Sequence, residues 1–194
     1  MMKVFALDGH DGAGKTSLAQ ALAKQVGGVY ARPFGGETGA RLLSAGNDKR
    51  VDELVTIGRD AILKAIRPHI KDSTPVILDR GWVTVASFVA DKPAFFKQWT
   101  LWCPTTLCWI DLNTTLKRLH TRLHSNSPQY QDEQAEKLCW HRHYLAIYFE
   151  LAERFNLPVL RTDQHAFQPC LDKLVEQFTQ HDWSALPTIL NEGQ

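Results

Sequence analysis

The sequence has little cysteine, no excess of charge of either sign, and no long apolar run. The 4 cysteines are Cys103, Cys108, Cys139 and Cys170. None stands at C-x-x-C spacing, and none pairs with histidine at finger-like spacing. Neither a zinc module nor a disulfide framework is indicated, and small thiols in apolar surroundings of a reducing, cytoplasmic compartment are expected. Lys and Arg number 22 against 21 Asp and Glu, a formal net charge of +1. A chain-wide basic field for nucleic acid or an anionic membrane is therefore absent, although a local basic pocket is not excluded. Near the N-terminus Lys3 precedes Val4-Phe5-Ala6-Leu7, and Asp8 interrupts at once, too soon for a signal peptide or a membrane span. There is no repeat, linker or low-complexity tract. With 44% hydrophobic and 22% charged residues, the 194-residue chain suits a single domain over 1–194.

Short apolar runs alternate with helical stripes, the pattern of an α/β domain with a parallel sheet. Strands are expected at Val4–Leu7, Val29–Ala31, Pro75–Leu78, Thr106–Ile110 and Leu157–Leu160, each followed by helix. The helical stripes run through Leu18, Leu22 and Val26, over 51–67, through Arg118 and Arg122, over about 132–155, and over Phe167–Phe178. Ser125-Asn126-Ser127-Pro128 reads as a loop. In such open sheets ligands sit at the carboxyl ends of the strands. Asp8, Arg32, Asp79 and Asp111 all fall there.

Gly9-His10-Asp11-Gly12-Ala13-Gly14-Lys15-Thr16 fits G-x-x-x-x-G-K-[ST], with a buried strand before it and an amphipathic helix after it. Glycines let backbone N–H groups converge on phosphate oxygens, and the helix N-terminus adds about half a positive charge. Lys15 can reach the β- and γ-phosphates, and Thr16, followed by Ser17, can ligate Mg²⁺. A nucleoside triphosphate site is implied, with ATP and Mg²⁺ as cofactors. Asp79 ends an apolar strand as a Walker-B-like carboxylate would and is the second candidate metal residue. Asp111 holds the same position on its strand without an adjacent Arg and reads as a helix cap.

In these motifs the chain resembles the thymidylate kinase family of P-loop nucleotide kinases, over roughly residues 3–180. Ala6 to Thr16 is similar to the family's phosphate loop, whose internal Asp, here Asp11, faces the acceptor sugar. Arg32-Pro33-Phe34-Gly35-Gly36-Glu37-Thr38-Gly39 is similar to its Arg- and Pro/Gly-containing stretch after strand two. Gly58-Arg59-Asp60 resembles the helix whose Arg contacts the acceptor, and Leu78-Asp79-Arg80 its Asp-Arg signature. Arg118 and Arg122 resemble the lid entry, with a lid at about 121–133 and a tail at 182–194. Thr162-Asp163 falls on the adenine-side loop. The resemblance implies a three-layer P-loop NTPase sandwich with a five-stranded parallel sheet and a short lid. It also suggests a homodimer and transfer of the ATP γ-phosphoryl to a nucleoside monophosphate, dTMP or a related acceptor. Because position 12 is Gly, the family pattern points to Arg122 as the catalytic lid Arg, with Arg118 as the second candidate, beside Lys15, Arg80 and Asp79.

The departures fall on the base-reading positions. Gly81 and Trp82 follow Asp-Arg where the family carries an aromatic or His. Its Tyr-Gln pair falls on Phe88 and Val89, and its stacking aromatic falls near Val55. Altered base specificity is therefore expected, with Arg32, Phe34, Val55, Arg59, Arg80, Trp82 and Phe88 as acceptor-side candidates, although Trp82 reads more readily as a packing residue than as a stacking face. A deoxynucleoside kinase is the alternative enzyme, using Asp8 or Asp79 as a base. A nucleotide-binding protein without kinase activity is the alternative of another class. A GTP switch is disfavoured, since Asn47-Asp48-Lys49-Arg50 does not fit N-K-x-D.

Overall fold

The structure is a computed structural model and describes residues 2–124 and 138–185. Strands β1 (Val4–Asp8), β2 (Val29–Ala31), β3 (Val76–Asp79), β4 (Thr105–Trp109) and β5 (Val159–Arg161) form one sheet in the order β2-β3-β1-β4-β5. Every pairing is parallel, with Leu7 opposite Asp79 and Asp8 opposite Leu107. All five residues of the central strand are buried, as expected for a strand covered on both faces.

The pleat sorts β1 between two cores. Val4 and Ala6 join Leu54, Ile62, Trp82, Phe95 and Leu151 on one face; Phe5 and Leu7 join Leu18, Leu22, Leu171 and Phe178 on the other. The first face is covered by α2 (Gly36–Asn47), α3 (Val51–Ile66), α4 (Trp82–Ala86), α5 (Pro93–Gln98) and α7 (Leu138–Arg154). The second is covered by α1 (Lys15–Gln25) and α8 (Phe167–Gln180), while α6 (Leu112–His124) follows β4. Fully buried Leu7, Leu22 and Ile77 each contribute about 1.5–3 kcal/mol of hydrophobic stabilisation.

The expected α/β architecture is present, and each strand lies within two residues of its expected bounds. Helix α2 was not expected. Its glycines depress helix propensity, yet Gly46 is where the Phe88 ring packs, 2.3 Å from where a Cβ would stand. Asp111 caps α6 as expected, accepting from Thr114 N at 2.9 Å and from Thr114 Oγ1 at 2.6 Å. Cys103, Cys108 and Cys170 are buried, Cys139 is exposed, and all four are free thiols. Among the described residues no helix is long and apolar enough to cross a membrane. The lid from residue 125 onward and the tail from residue 186 onward lie outside the described residues.

Candidate active site

The loop between β1 and α1 is shaped by left-handed glycines, with φ +139° at Gly9, +82° at Gly12 and +76° at Gly14. A Cβ at Gly9 would stand 2.1 Å from the Cys108 carbonyl oxygen, so no other residue fits there. The first turn of α1 has no side-chain cap, which leaves its N-terminus for an anion. Lys15 is buried and donates to the His10 carbonyl at 2.7 Å. Burial, with Arg80 adding repulsion, lowers its ammonium to a pKa of about 8. A cavity of about 270 Å³ opens over this loop, lined by Lys15, Thr16, Ser17, Arg32, Asp79 and Arg80 among others.

Thr16 Oγ1 donates to Asp79 Oδ2 at 2.6 Å, and Tyr30 OH donates to the same oxygen at 3.0 Å. A hydroxyl and a carboxylate at the mouth of a phosphate loop suit a hard divalent cation that takes its other ligands from water and phosphate. Thr16 and Asp79 therefore fit Mg²⁺. Tyr30, on β2, was not singled out from the sequence, because a strand tyrosine carries no motif.

Asp8 does something else. It is fully buried and accepts from Gly81 N and Thr84 N at 3.0 Å and from Thr84 Oγ1 at 2.5 Å. It thereby holds the start of α4 against β1, and burial raises its pKa above the usual carboxylate value. It is sealed away from substrate and cannot be the base that the nucleoside-kinase alternative asked of it. Asp79, the other carboxylate named for that role, is engaged by Thr16 and Tyr30.

Arg80 carries the backbone strain of the site. Its φ is +81°, a conformation that costs a non-glycine residue about 1–3 kcal/mol. The turn swings its guanidinium back over the phosphate loop, where it pairs with Asp11 and donates to the Gly9 carbonyl at 3.3 Å and to Tyr148 OH at 3.4 Å. Burial opposes this charge, but Asp11 and the neighbouring acidic groups outweigh it and hold the pKa above the usual Arg value. Next to it, Gly81 has no room for a side chain: a Cβ would stand 2.8 Å from Ala6 Cβ.

A second cavity, of about 220 Å³, lies beyond this pair. Its polar lining includes His10, Asp11, Arg80 and Thr84; its apolar and aromatic lining is Phe34, Leu42, Leu43, Phe88, Trp140 and Tyr144 among others. Asp11 and Arg80 line both this cavity and the phosphate-loop cavity, so the two meet at that ion pair. Trp140 and Tyr144, ring centroids 4.7 Å apart, come from α7, and Tyr144 meets Phe88 edge-on at 6.0 Å. These α7 aromatics were missed from the sequence, where their helical spacing is indistinguishable from core packing.

A third cavity, of about 230 Å³, flanks the other side of the loop and is lined by Ser17, Arg118, Thr162, His165, Phe167 and Cys170 among others. Arg118 donates to the Gly12 carbonyl at 2.9 Å and the Thr162 carbonyl at 2.7 Å, and Thr162 Oγ1 donates to the Ala13 carbonyl at 3.0 Å. These bonds brace the loop from the segment that follows β5.

Of the expected acceptor residues, Asp11, Phe34, Arg80 and Phe88 line the second cavity, and exposed Arg32 lines the first. Two of the acceptor candidates lie in the core instead. Trp82 is buried, its ring 4.9 Å from Trp102 and 5.0 Å from Phe155, because α4 turns it into the core; Trp140 supplies the indole at the cavity. Val55 is likewise buried in the core and lines none of these three cavities. Arg59 lies half-buried on α3, its Nε without a hydrogen-bond partner among the described residues, and lines none of them either. Arg122 lies on α6, but its side chain is outside the described residues.

The sheet order, the glycine-shaped loop and the Lys15–Thr16–Asp79 cluster define an α/β protein of P-loop NTPase type. Solved structures share the fold. Deoxyadenosine kinase from M. mycoides with bound dATP matches at a TM-score of 0.60 and 13% identity, and the same enzyme with dCMP and dCDP at 0.55 and 11%. Each match covers 92% of this chain and 100% of the other. No protein-family model matches the chain, and no curated protein does. At such identities the likeness is one of fold, and it does not single out thymidylate kinases.

Proposed function

We propose that the protein is an ATP-dependent kinase that transfers the γ-phosphoryl group to the phosphate of a nucleoside monophosphate. The observation that carries this reading is the Asp11–Arg80 pair, which lines both the phosphate-loop cavity and the aromatic cavity. The donor triphosphate lies on the loop, with Lys15 on its outer phosphates and its base in the cavity beside Arg118. The acceptor base lies among Phe34, Phe88, Trp140 and Tyr144. Its phosphate then meets the donor at Arg80, within reach of Arg32.

The acceptor phosphate has a second pKa near 6 and is largely dianionic at pH 7, so it needs no general base. One of its oxygens bonds to the γ-phosphorus as the bond to the β–γ bridging oxygen breaks, and ADP leaves with those electrons. Lys15, Arg32 and Arg80 align the two phosphates and cover the spread charge. Thr16 and Asp79 would hold Mg²⁺, which supplies further charge neutralisation. Among the described residues, those lining the base cavity include no carboxamide to read a base edge, which favours selection by stacking and shape.

A second reading is a deoxynucleoside kinase, in which Asp11 takes the proton of an acceptor hydroxyl. The place of its carboxylate between the cavities favours it, as does the activity named for the similar M. mycoides structures. ADP release with ATP and Mg²⁺ across all monophosphates and nucleosides separates the two. Monophosphates should exceed nucleosides by ~100-fold or more in kcat/KM, the value of a desolvated charge contact. dTMP and dUMP should differ by no more than about 1–3 kcal/mol. A free nucleoside turned over faster than every monophosphate would establish the second reading instead.

A further inference from the structure

The phosphate loop and α7 are joined by a contact that the transfer chemistry does not use. His10, the second residue of the loop, places its Nε2 2.7 Å from Nδ1 of His141, and both side chains are buried. Burial drives the His10 imidazole down to a pKa of about 3, with Asp11 opposing and Lys15, His141 and Arg80 adding to the shift. Neutral His10 thus shares one hydrogen with His141. The His10 ring lies parallel to Tyr144, interplanar angle 5° at 6.3 Å, and 5.1 Å from Trp140. Its backbone carbonyl accepts from Lys15 Nζ. His10 therefore touches the donor-side lysine through its main chain and the acceptor-side aromatics through its ring.

A metal at this pair does not account for it. The two nitrogens are at hydrogen-bond distance, and among the described residues no group of three or more His, Cys, Asp or Glu is placed to hold an ion.

We infer that His10 and His141 are positioning residues: their hydrogen bond fixes the aromatic wall of α7 against the phosphate loop, and so sets the acceptor's position relative to the donor. Residues 140, 144 and 148 of α7 line the acceptor cavity, and 141 lies one step round the helix from Trp140. Without the bond, α7 retains its apolar contacts and those of Tyr148 OH with Arg80 and Thr84, but loses the hydrogen bond that ties His141 to the loop itself. The donor site, braced from the other side by Arg118 and Thr162, does not depend on it. This inference rests on the reading of the aromatic cavity as the acceptor site.

The test is a set of variants read by calorimetric binding of a non-hydrolysable ATP analogue and of the acceptor nucleotide, alongside kcat and KM. His141→Leu removes the bond. His141→Asn offers an amide oxygen near the place of Nδ1, and His10→Leu/His141→Leu removes both polar groups so that neither is left buried alone. His141→Leu should weaken acceptor binding by about tenfold or more while ATP-analogue binding stays within about twofold. His141→Asn should recover most of that loss. The double variant should regain thermal stability without regaining acceptor affinity. Acceptor affinity that returns with stability in the double variant, or equal losses for both ligands, would reduce the pair to a packing contact and overturn the inference. A wild type that binds ATP but no nucleoside or nucleotide would instead overturn the reading of the cavity. If the preferred acceptor is a nucleoside, the same variants are measured with it, since the wall is the same.

Discussion

The two cavities that meet at Asp11 and Arg80 are built in opposite ways. The phosphate-loop side comes mostly from one continuous stretch, Asp11 to Ser17, and its geometry is set by backbone: two left-handed glycines and a helix N-terminus. The aromatic side is assembled from the loop after β1, the β2–α2 loop and α2, α4 and its C-terminal flank, and α7, and its walls are side chains. A site made of backbone tolerates few changes and serves one kind of ligand, a chain of phosphates. A site made of side chains from separate helices changes its ligand by single substitutions while the sheet stays as it is. The backbone-built cavity and the side-chain-built cavity are thereby kept apart, with one ion pair between them.

Breaking the phosphate side should cost most. Lys15→Ala is expected to lower kcat/KM by about 10³-fold, as loss of a positioned charge at the transferring group does. Because Lys15 is a buried cation, its removal should leave the melting temperature unchanged or higher; ADP release and thermal unfolding measure the two effects. Arg80→Ala strikes the boundary. It leaves Asp11 without its guanidinium and is expected to cost about 2–5 kcal/mol in acceptor kcat/KM. The KM for ATP should move far less.

A pair of tryptophans sharpens the contrast between wall and core. Trp82→Ala empties a buried site between Trp102 and Phe155 and should cost about 3–5 kcal/mol of stability, with the folded fraction still active. Trp140→Ala should raise acceptor KM by the equivalent of about 1–3 kcal/mol of base stacking, with little change in melting temperature. The reverse pattern would return Trp82 to the site. The smallest effect is on pH. As pH rises through about 8, free-enzyme Lys15 loses its proton and with it its hold on phosphate. The kcat/KM for ATP should therefore fall above that pH, and the fall should be absent in Lys15→Arg.

The same contrast explains what the sequence made legible. The phosphate loop is local, so Gly9 to Thr16 pointed at once to the fold and to the loop cavity that Thr16 shares with Asp79. The sheet followed from short apolar runs, each ending in a charged or polar residue. The aromatic side is nonlocal, and a ring at helical spacing reads the same whether it faces a cavity or a core. Trp82 and Val55 therefore read as acceptor candidates, while Trp140 and Tyr144, which line the cavity, did not. Asp8 looked available at a strand end, and only the packing of α4 across β1 shows it sealed beneath Gly81 and Thr84. His141 had no motif at all; its partner is 131 positions away in the chain.

The central claim is that donor and acceptor occupy the two cavities at once and meet at Asp11 and Arg80. Its most direct test is an inhibitor that joins adenosine to the acceptor nucleoside through an oligophosphate bridge. Competition against both ATP and the acceptor, weakened by Arg80→Ala, is the predicted result. Competition against ATP alone, at the affinity of the adenosine oligophosphate by itself, would contradict it.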